Sequence, residues 1–323
     1  MSFDTPVLLI AWKRPTKVLK VIDSLKQVKP NYIYVACDGP NRGIKDEVQK
    51  VTETRKIIEM EINWNYKKFK KFYRETNHGA MYGVSDAITW FFQNEAEGII
   101  LEDDCLANKD FYHFSAEMLK KYRTEERIWS ITGNNFQKGN FVGNDSYYFS
   151  CFTHIWGWAT WKRCWEKYEV DIKSWPDFKK RNKLNHFFCK KHEKKYWSKI
   201  FDQMYKNKKP DTWDYQWFFS SLNNKGLNII PNTNLVENIG FGSDSTNTKS
   251  KKSPLTYKKE SSKINIFPLK HPKKIIRSVK ADDFTSRKYY SGYPIHHPKY
   301  FLNLIKKIFT KTKTIVLKNF NRN

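Results

Sequence analysis

The chain has little cysteine, and what it has is scattered: Cys37, Cys105, Cys151, Cys164 and Cys189 form no CxxC pair and no His/Cys spacing suited to zinc. An odd, dispersed set of this kind argues against a disulfide framework and for reduced thiols in a cytosolic compartment. Long hydrophobic runs are also missing, and nothing approaches the roughly 18 apolar residues that would span a bilayer. The short apolar run Val7–Trp12 follows Asp4 and lacks a small-residue cleavage site, so it reads as a strand and not a signal peptide. The expectation is a cytoplasmic protein that can still lie on a membrane. Acidic residues are scarce, 33 against 59 Lys and Arg, for a net charge of +26. The imbalance is uneven. From Lys249 onward there are 20 basic and 3 acidic residues, whereas the preceding 248 residues hold 39 and 30. The chain therefore reads as a domain over 1–248 and a basic C-terminal extension over 249–323. With 39% hydrophobic and 16% aromatic residues it can build a core and is not disordered overall.

Apolar periodicity in the first half alternates between strand and helix. Val7–Trp12 is continuous, as in a strand buried on both faces. Pro15 and Thr16 open a helix with Val18, Val21, Ile22, Leu25 and Val28 on one side, closed by Pro30. Tyr32–Cys37 is a second strand that ends at the turn Asp38-Gly39-Pro40. A polar helix over Lys45–Glu61 and a lysine-interrupted strand over 69–74 follow. His78 to Asn94 is a helix, and Ile99–Leu101 is a short buried strand leading into Glu102-Asp103-Asp104. Asn108 then caps a helix with Phe111, Phe114, Met118 and Tyr122 on one face, and Ile128–Thr132 returns as a strand. Such alternation predicts an α/β fold with an open, mostly parallel sheet and helices on both faces. Ligands in such sheets bind beyond the carboxyl ends of the strands. Three polar signatures fall there, namely Lys13-Arg14, Asp38 and the acidic triplet.

The triplet is the most informative of these. Three adjacent carboxylates repel one another, and packing rarely selects them at the end of a buried strand. A divalent cation relieves the repulsion, and Mg²⁺ or Mn²⁺ prefers one or two carboxylates plus phosphate oxygens. The ordinary alternative is a solvated acidic turn ahead of the helix at Asn108. Arg14 has the donor fork for phosphate, or is a surface base. Asp38 can accept from a nucleoside, or only shape its turn. His78 starts a helix at a strand end and is within the positions open to a nucleotide. Asp214 lies between Trp213 and Tyr215; partial desolvation there would raise its pKa and suit a general base, unless it merely starts a helix. Trp156, Trp158 and Trp161 are a platform for sugar rings or simply core.

The segments VLLIAWKRP, VACDGP, TNHGAMYGVSDAITWFF, EGIILEDDCLANKDFYHF, ITGNNF, HIWGWATW, TWDYQWFF and NIIPNTNLVENIGFG occur in this order. Together they resemble a bacterial family of nucleotide-diphospho-sugar transferases, some labelled hemolysin-like. More distantly they are similar to N-acetylglucosaminyltransferase I, an inverting glycosyltransferase of the GT-A type. The resemblance covers roughly residues 5–248. It implies a Rossmann-like GT-A sheet and a metal-dependent enzyme that moves a sugar from a nucleotide diphosphate, UDP favoured, to a glycan or lipid-linked glycan. It further implies Asp104 as metal ligand, Glu102 and Asp103 near ribose and sugar phosphate, Arg14 on phosphate, Asp38 on the nucleoside, Trp156-Gly157-Trp158 along the sugar cleft, and Asp214 as base. Related chains often carry His in the loop after FG, where this one has Asn247, with Asp244 nearby.

In the extension, residues 298–318 place Phe301, Leu304, Ile305, Ile308 and Ile315 near one helical face, with lysines on the others, a pattern suited to an anionic membrane surface. Nucleic-acid binding rests on charge alone and has no motif. Sugar-nucleotide synthesis on a similar fold would want a Gly-rich, Arg-containing phosphate loop after the first strand, which AWKRP is not.

Overall fold

A computed structural model describes residues 2–240 and 266–290. Its centre is an eight-stranded sheet in the order β3-β2-β1-β4-β8-β6-β9-β7. The strands are β1 (Val7–Ala11), β2 (Tyr32–Cys37), β3 (Lys68–Tyr73), β4 (Glu97–Glu102), β6 (Ile128–Thr132), β7 (Tyr147–Ser150), β8 (Trp158–Trp161) and β9 (Leu227–Pro231). All but β7 and β8 run in one direction. A separate pair, β5 (Cys105–Ala107) and β10 (Val236–Asn238), is antiparallel. The expected mixed α/β architecture with helices on both faces is therefore what the chain adopts.

The helices follow from the apolar spacing. α1 (Pro15–Leu25) starts with Pro in its first turn, where the missing N–H costs nothing, and buries Val18, Val21, Ile22 and Leu25. It lies beside α2 (Lys45–Glu61) and α4 (Lys109–Lys121), the latter joined to it by a 2.7 Å hydrogen bond between Ser24 and Tyr112 hydroxyls. Asn108 caps α4 by accepting from the Phe111 amide at 3.0 Å, as its position predicts. α3 (Gly79–Asn94) sets Trp90 and Phe91 edge-on against Tyr34 of β2. His78 precedes this helix at its cap and lies outside it.

The second half forms a helical layer. α6 (Trp175–Lys180), α7 (Lys191–Asn207) and α8 (Asp214–Asn223) gather around aromatic side chains, among them Trp175, Trp197, Phe201, Phe218 and Phe219, whereas the short α5 (Lys162–Trp165) packs Cys164 and Trp165 into the main core. Residues 266–290, although inside the basic stretch, are built into the sheet edge. The Ser278 amide donates to Phe149 O at 2.8 Å, and α9 (Val279–Thr285) brings Asp282 under β7. Asp282, 3% exposed, accepts from the Cys151 amide at 3.1 Å and from Ser150 Oγ, and pairs with Arg277 at 2.5 Å. The jump in charge at 249 is thus no boundary of packing for this segment. Residues 298–318, Asp244 and Asn247 lie outside the described residues.

Candidate functional site

Parallel register aligns the strand ends. Ile10 faces Glu102 and Ala11 faces Cys37, and the Asp38 amide donates to Ala11 O at 3.1 Å. The residues that follow these strands therefore meet at one edge of the sheet. There they line a cleft of about 640 Å³, whose other wall is the segment from Pro210 to Tyr215 leading into α8. Arg14, Asp38, Glu102, Asp103, Asp104, Trp156 and Asp214 all face it. Residues far apart in sequence are thus brought together around one cleft.

Arg14 sits on the acidic triplet. Its Nη1 donates to Asp103 Oδ1 at 2.8 Å and Asp104 Oδ2 at 2.9 Å. Burial opposes its charge, but the two carboxylates hold the guanidinium firmly ionised. Asp103 is buried and also accepts from the Trp12 amide at 3.1 Å. Burial raises its pKa, against the pull of Arg14. Glu102 is pushed up to about 8, first by burial and then by the charges of Asp104 and Asp103. One arginine thus faces a cluster whose charge it does not fully offset. Lys13 turns away, stacked over Trp12 at 3.9 Å and paired with Glu47 of α2.

Asp38 accepts from the Gly39 amide at 3.0 Å and from the His78 amide at 3.0 and 3.2 Å to its two oxygens. Burial raises its pKa, and these amides counter that. The His78 amide meets Asp38, while its ring is exposed and turned to Arg74, which itself lines the cleft. Asp214 is half-buried, accepts from Thr212 Oγ1, and has its pKa raised by burial. Trp156 and Ile155 reach the cleft, but Gly157 and Trp158 do not line it. Gly157 makes the turn with φ +62, and a Cβ there would come 2.7 Å from Val236 Cγ2. Trp158, 0% exposed, lies in β8 and stacks on Trp213 with ring centroids 5.4 Å apart, and Trp161 is also core. For these two the ordinary core reading describes their place.

Sequence reasoning missed Arg74, Asn77, Asp211, Asn238 and Gly240, all of which line the cleft. Asp211 accepts from the amides of Ala80 at 3.1 Å and Met81 at 2.9 Å, tying the segment ahead of α8 to the start of α3. Gly240 leaves room for Asp104, since a Cβ there would lie 2.1 Å from its Oδ2. Asn238 and Gly240 fall inside the segment NIIPNTNLVENIGFG but nothing in it singled them out, and a lone Asp after Pro210 carried no signal. Among the described residues, no three His, Cys, Asp or Glu side chains gather into a metal-binding set.

The α/β sheet has polar strand ends opening on one cleft, a candidate ligand-binding site at the usual place for such sheets. Neither a protein-family model nor a curated protein matches the chain. Among solved structures it is similar to HddC from Yersinia pseudotuberculosis, 10% identical with a TM-score of 0.31 over 51% of this chain and 80% of that one. It is similar to 4-diphosphocytidyl-2C-methyl-D-erythritol synthase from Anaerococcus prevotii, 13% identical with a TM-score of 0.31 over 51% and 75%. The glycosyltransferase GlyE in Streptococcus pneumoniae is 9% identical with a TM-score of 0.30 over 68% of this chain and 43% of its own. At such scores these likenesses carry no argument about activity, and the site must supply it.

Proposed function

We propose that the protein is a glycosyltransferase that moves a sugar from a nucleoside diphosphate, UDP favoured, to a hydroxyl of a glycan or lipid-linked glycan. The observation that carries this reading is the cleft in which the Arg14–Asp103–Asp104 cluster and Asp38 share a wall while Asp214 stands on the segment closing the other side. Asp38 would accept from the nucleoside. Arg14 would hold the diphosphate, and Trp156 would lie under the sugar. The donor set suits Mn²⁺ or Mg²⁺ held by Asp104, because the carboxylates exceed their one arginine and such ions take their remaining ligands from phosphate and water. When bound, the ion supplies positive charge to the leaving diphosphate.

In this reading Asp214 takes the proton from the acceptor hydroxyl as the new C–O bond forms. The bond to the diphosphate breaks with its electron pair leaving on the phosphate oxygen. Attack opposite the leaving group inverts the anomeric centre. A base held above its usual pKa by burial is a stronger proton acceptor than a solvated Asp. The site would work on the cytoplasmic side of a membrane, with the basic stretch beyond residue 290 on an anionic lipid surface.

The test is UDP release from a panel of UDP-sugars with Mn²⁺ and envelope glycans as acceptors. Transfer with at least one pair is expected, and Asp214→Asn should lower it by ~10²–10⁴ with nucleotide affinity retained. Transfer that survives Asp214→Asn would remove the base assignment. An absence of transfer and of donor hydrolysis across the panel would count against the enzyme reading.

A further inference from the structure

One nitrogen of Arg14 holds two carboxylates at once, at 2.8 Å from Asp103 Oδ1 and 2.9 Å from Asp104 Oδ2. All three side chains are largely shielded, at 14%, 6% and 15% exposure, so water screens this contact weakly. Asp104 Oδ2 is fenced from another side by Gly240, where a Cβ would come within 2.1 Å of it. Its other oxygen faces Asn238 Nδ2 at 3.5 Å and Cys105 Sγ at 3.7 Å. A divalent cation bound at ~2.1 Å to a carboxylate oxygen would therefore be placed against the Arg14 guanidinium, two positive charges in a poorly screened space. The two compete for the same carboxylates. A diphosphate changes the balance, because its oxygens accept the guanidinium fork as well as a carboxylate does and leave the acids to the metal.

We propose that Arg14 is an internal counter-ion that keeps the acidic triplet closed, and that divalent metal and nucleoside diphosphate enter together as Arg14 transfers from carboxylate to phosphate. This rests on the reading of Asp104 as metal ligand. It adds a coupling between the two ligands that the residues themselves impose. The free protein holds metal poorly, the nucleotide opens the triplet, and by reciprocity the metal tightens the nucleotide.

The experiment titrates Mn²⁺ into the full chain by electron paramagnetic resonance, with and without UDP, for wild type, Arg14→Gln and Arg74→Gln. Arg74 lines the cleft without touching the triplet, so its variant controls for loss of one positive charge. In wild type, UDP should tighten Mn²⁺ by ~10-fold or more, within the range common for coupled sites. Arg14→Gln should gain a similar factor with no UDP present, and UDP should then add less. Arg74→Gln should gain far less than Arg14→Gln. If Arg14→Gln misfolds by circular dichroism, Arg14→Lys replaces it. A single ammonium bridges the two acids less well than the guanidinium, so the gain should be smaller and of the same sign. A folded Arg14 variant that binds Mn²⁺ alone no more tightly than wild type, or a gain matched by Arg74→Gln, overturns the proposal. UDP that binds in that case leaves the transferase reading standing; a wild type that binds no UDP with Mn²⁺ present counts against that reading instead.

Discussion

His154 shows how a single side chain couples this fold to pH. It is 3% exposed, with Phe136 edge-on at 4.5 Å, and burial pushes its pKa down to about 3. The folded protein keeps the ring neutral while the unfolded chain takes a proton below about 6.5. Its contribution is therefore complete above pH 6.5 and is lost as pH falls toward 3, at up to about 1.4 kcal/mol per pH unit. Urea unfolding of wild type and His154→Phe across this window checks it. The variant should lose part of the slope, and identical slopes would contradict the assignment. Asp211 acts at the same scale through hydrogen bonds alone. Asp211→Ala removes the acceptor for the Ala80 and Met81 amides and should cost about 1 kcal/mol, with faster hydrogen exchange at both amides. Unchanged exchange would show that this tie is unimportant. Strand-end position singled out Arg14, Asp38, Glu102, Asp103 and Asp104 in sequence, and parallel register places such ends side by side whatever the loops do; Asp214, at the start of α8, was singled out by its aromatic neighbours instead. Trp158 could not be separated from Trp156 that way. Trp158 is the first residue of β8 and is buried by its pairing with β4 and β6, whereas Trp156 stands before the turn at Gly157, and neither placement is visible without the strand pairing.

Helices and buried strands of the first half were readable because each has one dominant period and a punctuating Pro, Gly or Asn. β5, β7, β8 and β10 were not, being three or four residues long and fixed by partners distant in sequence. The segment 266–290 was hidden for another reason. Its lysines suggested a solvated tail, while its structural signal is the rare acid Asp282 among them. Removing that acid leaves Arg277 and the Cys151 amide without their buried partner. Breaking such a pair typically costs 3–5 kcal/mol. Asp282→Ala should therefore lower the melting temperature sharply in a thermal scan, and a melt within a degree or two of wild type would mean the segment is only draped on β7. Deleting everything from 249 onward, which the charge pattern alone would recommend, should destabilise the sheet edge for the same reason.

At the scale of the molecule, no helix among the described residues is long and apolar enough to cross a membrane. The sheet gathers its carboxylates on one side of a cleft, with Asp211 and Asp214 on the other, and that arrangement, not overall charge, bears the functional argument. The fold was legible from alternation, and the site from what stands at the strand ends. The partner ligands were not, because the cleft's walls come from loops such as 208–213 whose course no periodicity fixes. The central claim is that this cleft takes a nucleoside diphosphate together with a divalent metal at Asp104. Calorimetry with a set of nucleoside diphosphates, with and without Mn²⁺, beside Asp104→Ala, tests it most directly. The account predicts Mn²⁺-dependent binding of one nucleotide that Asp104→Ala abolishes; a folded protein that binds none of them, with or without Mn²⁺, would contradict it.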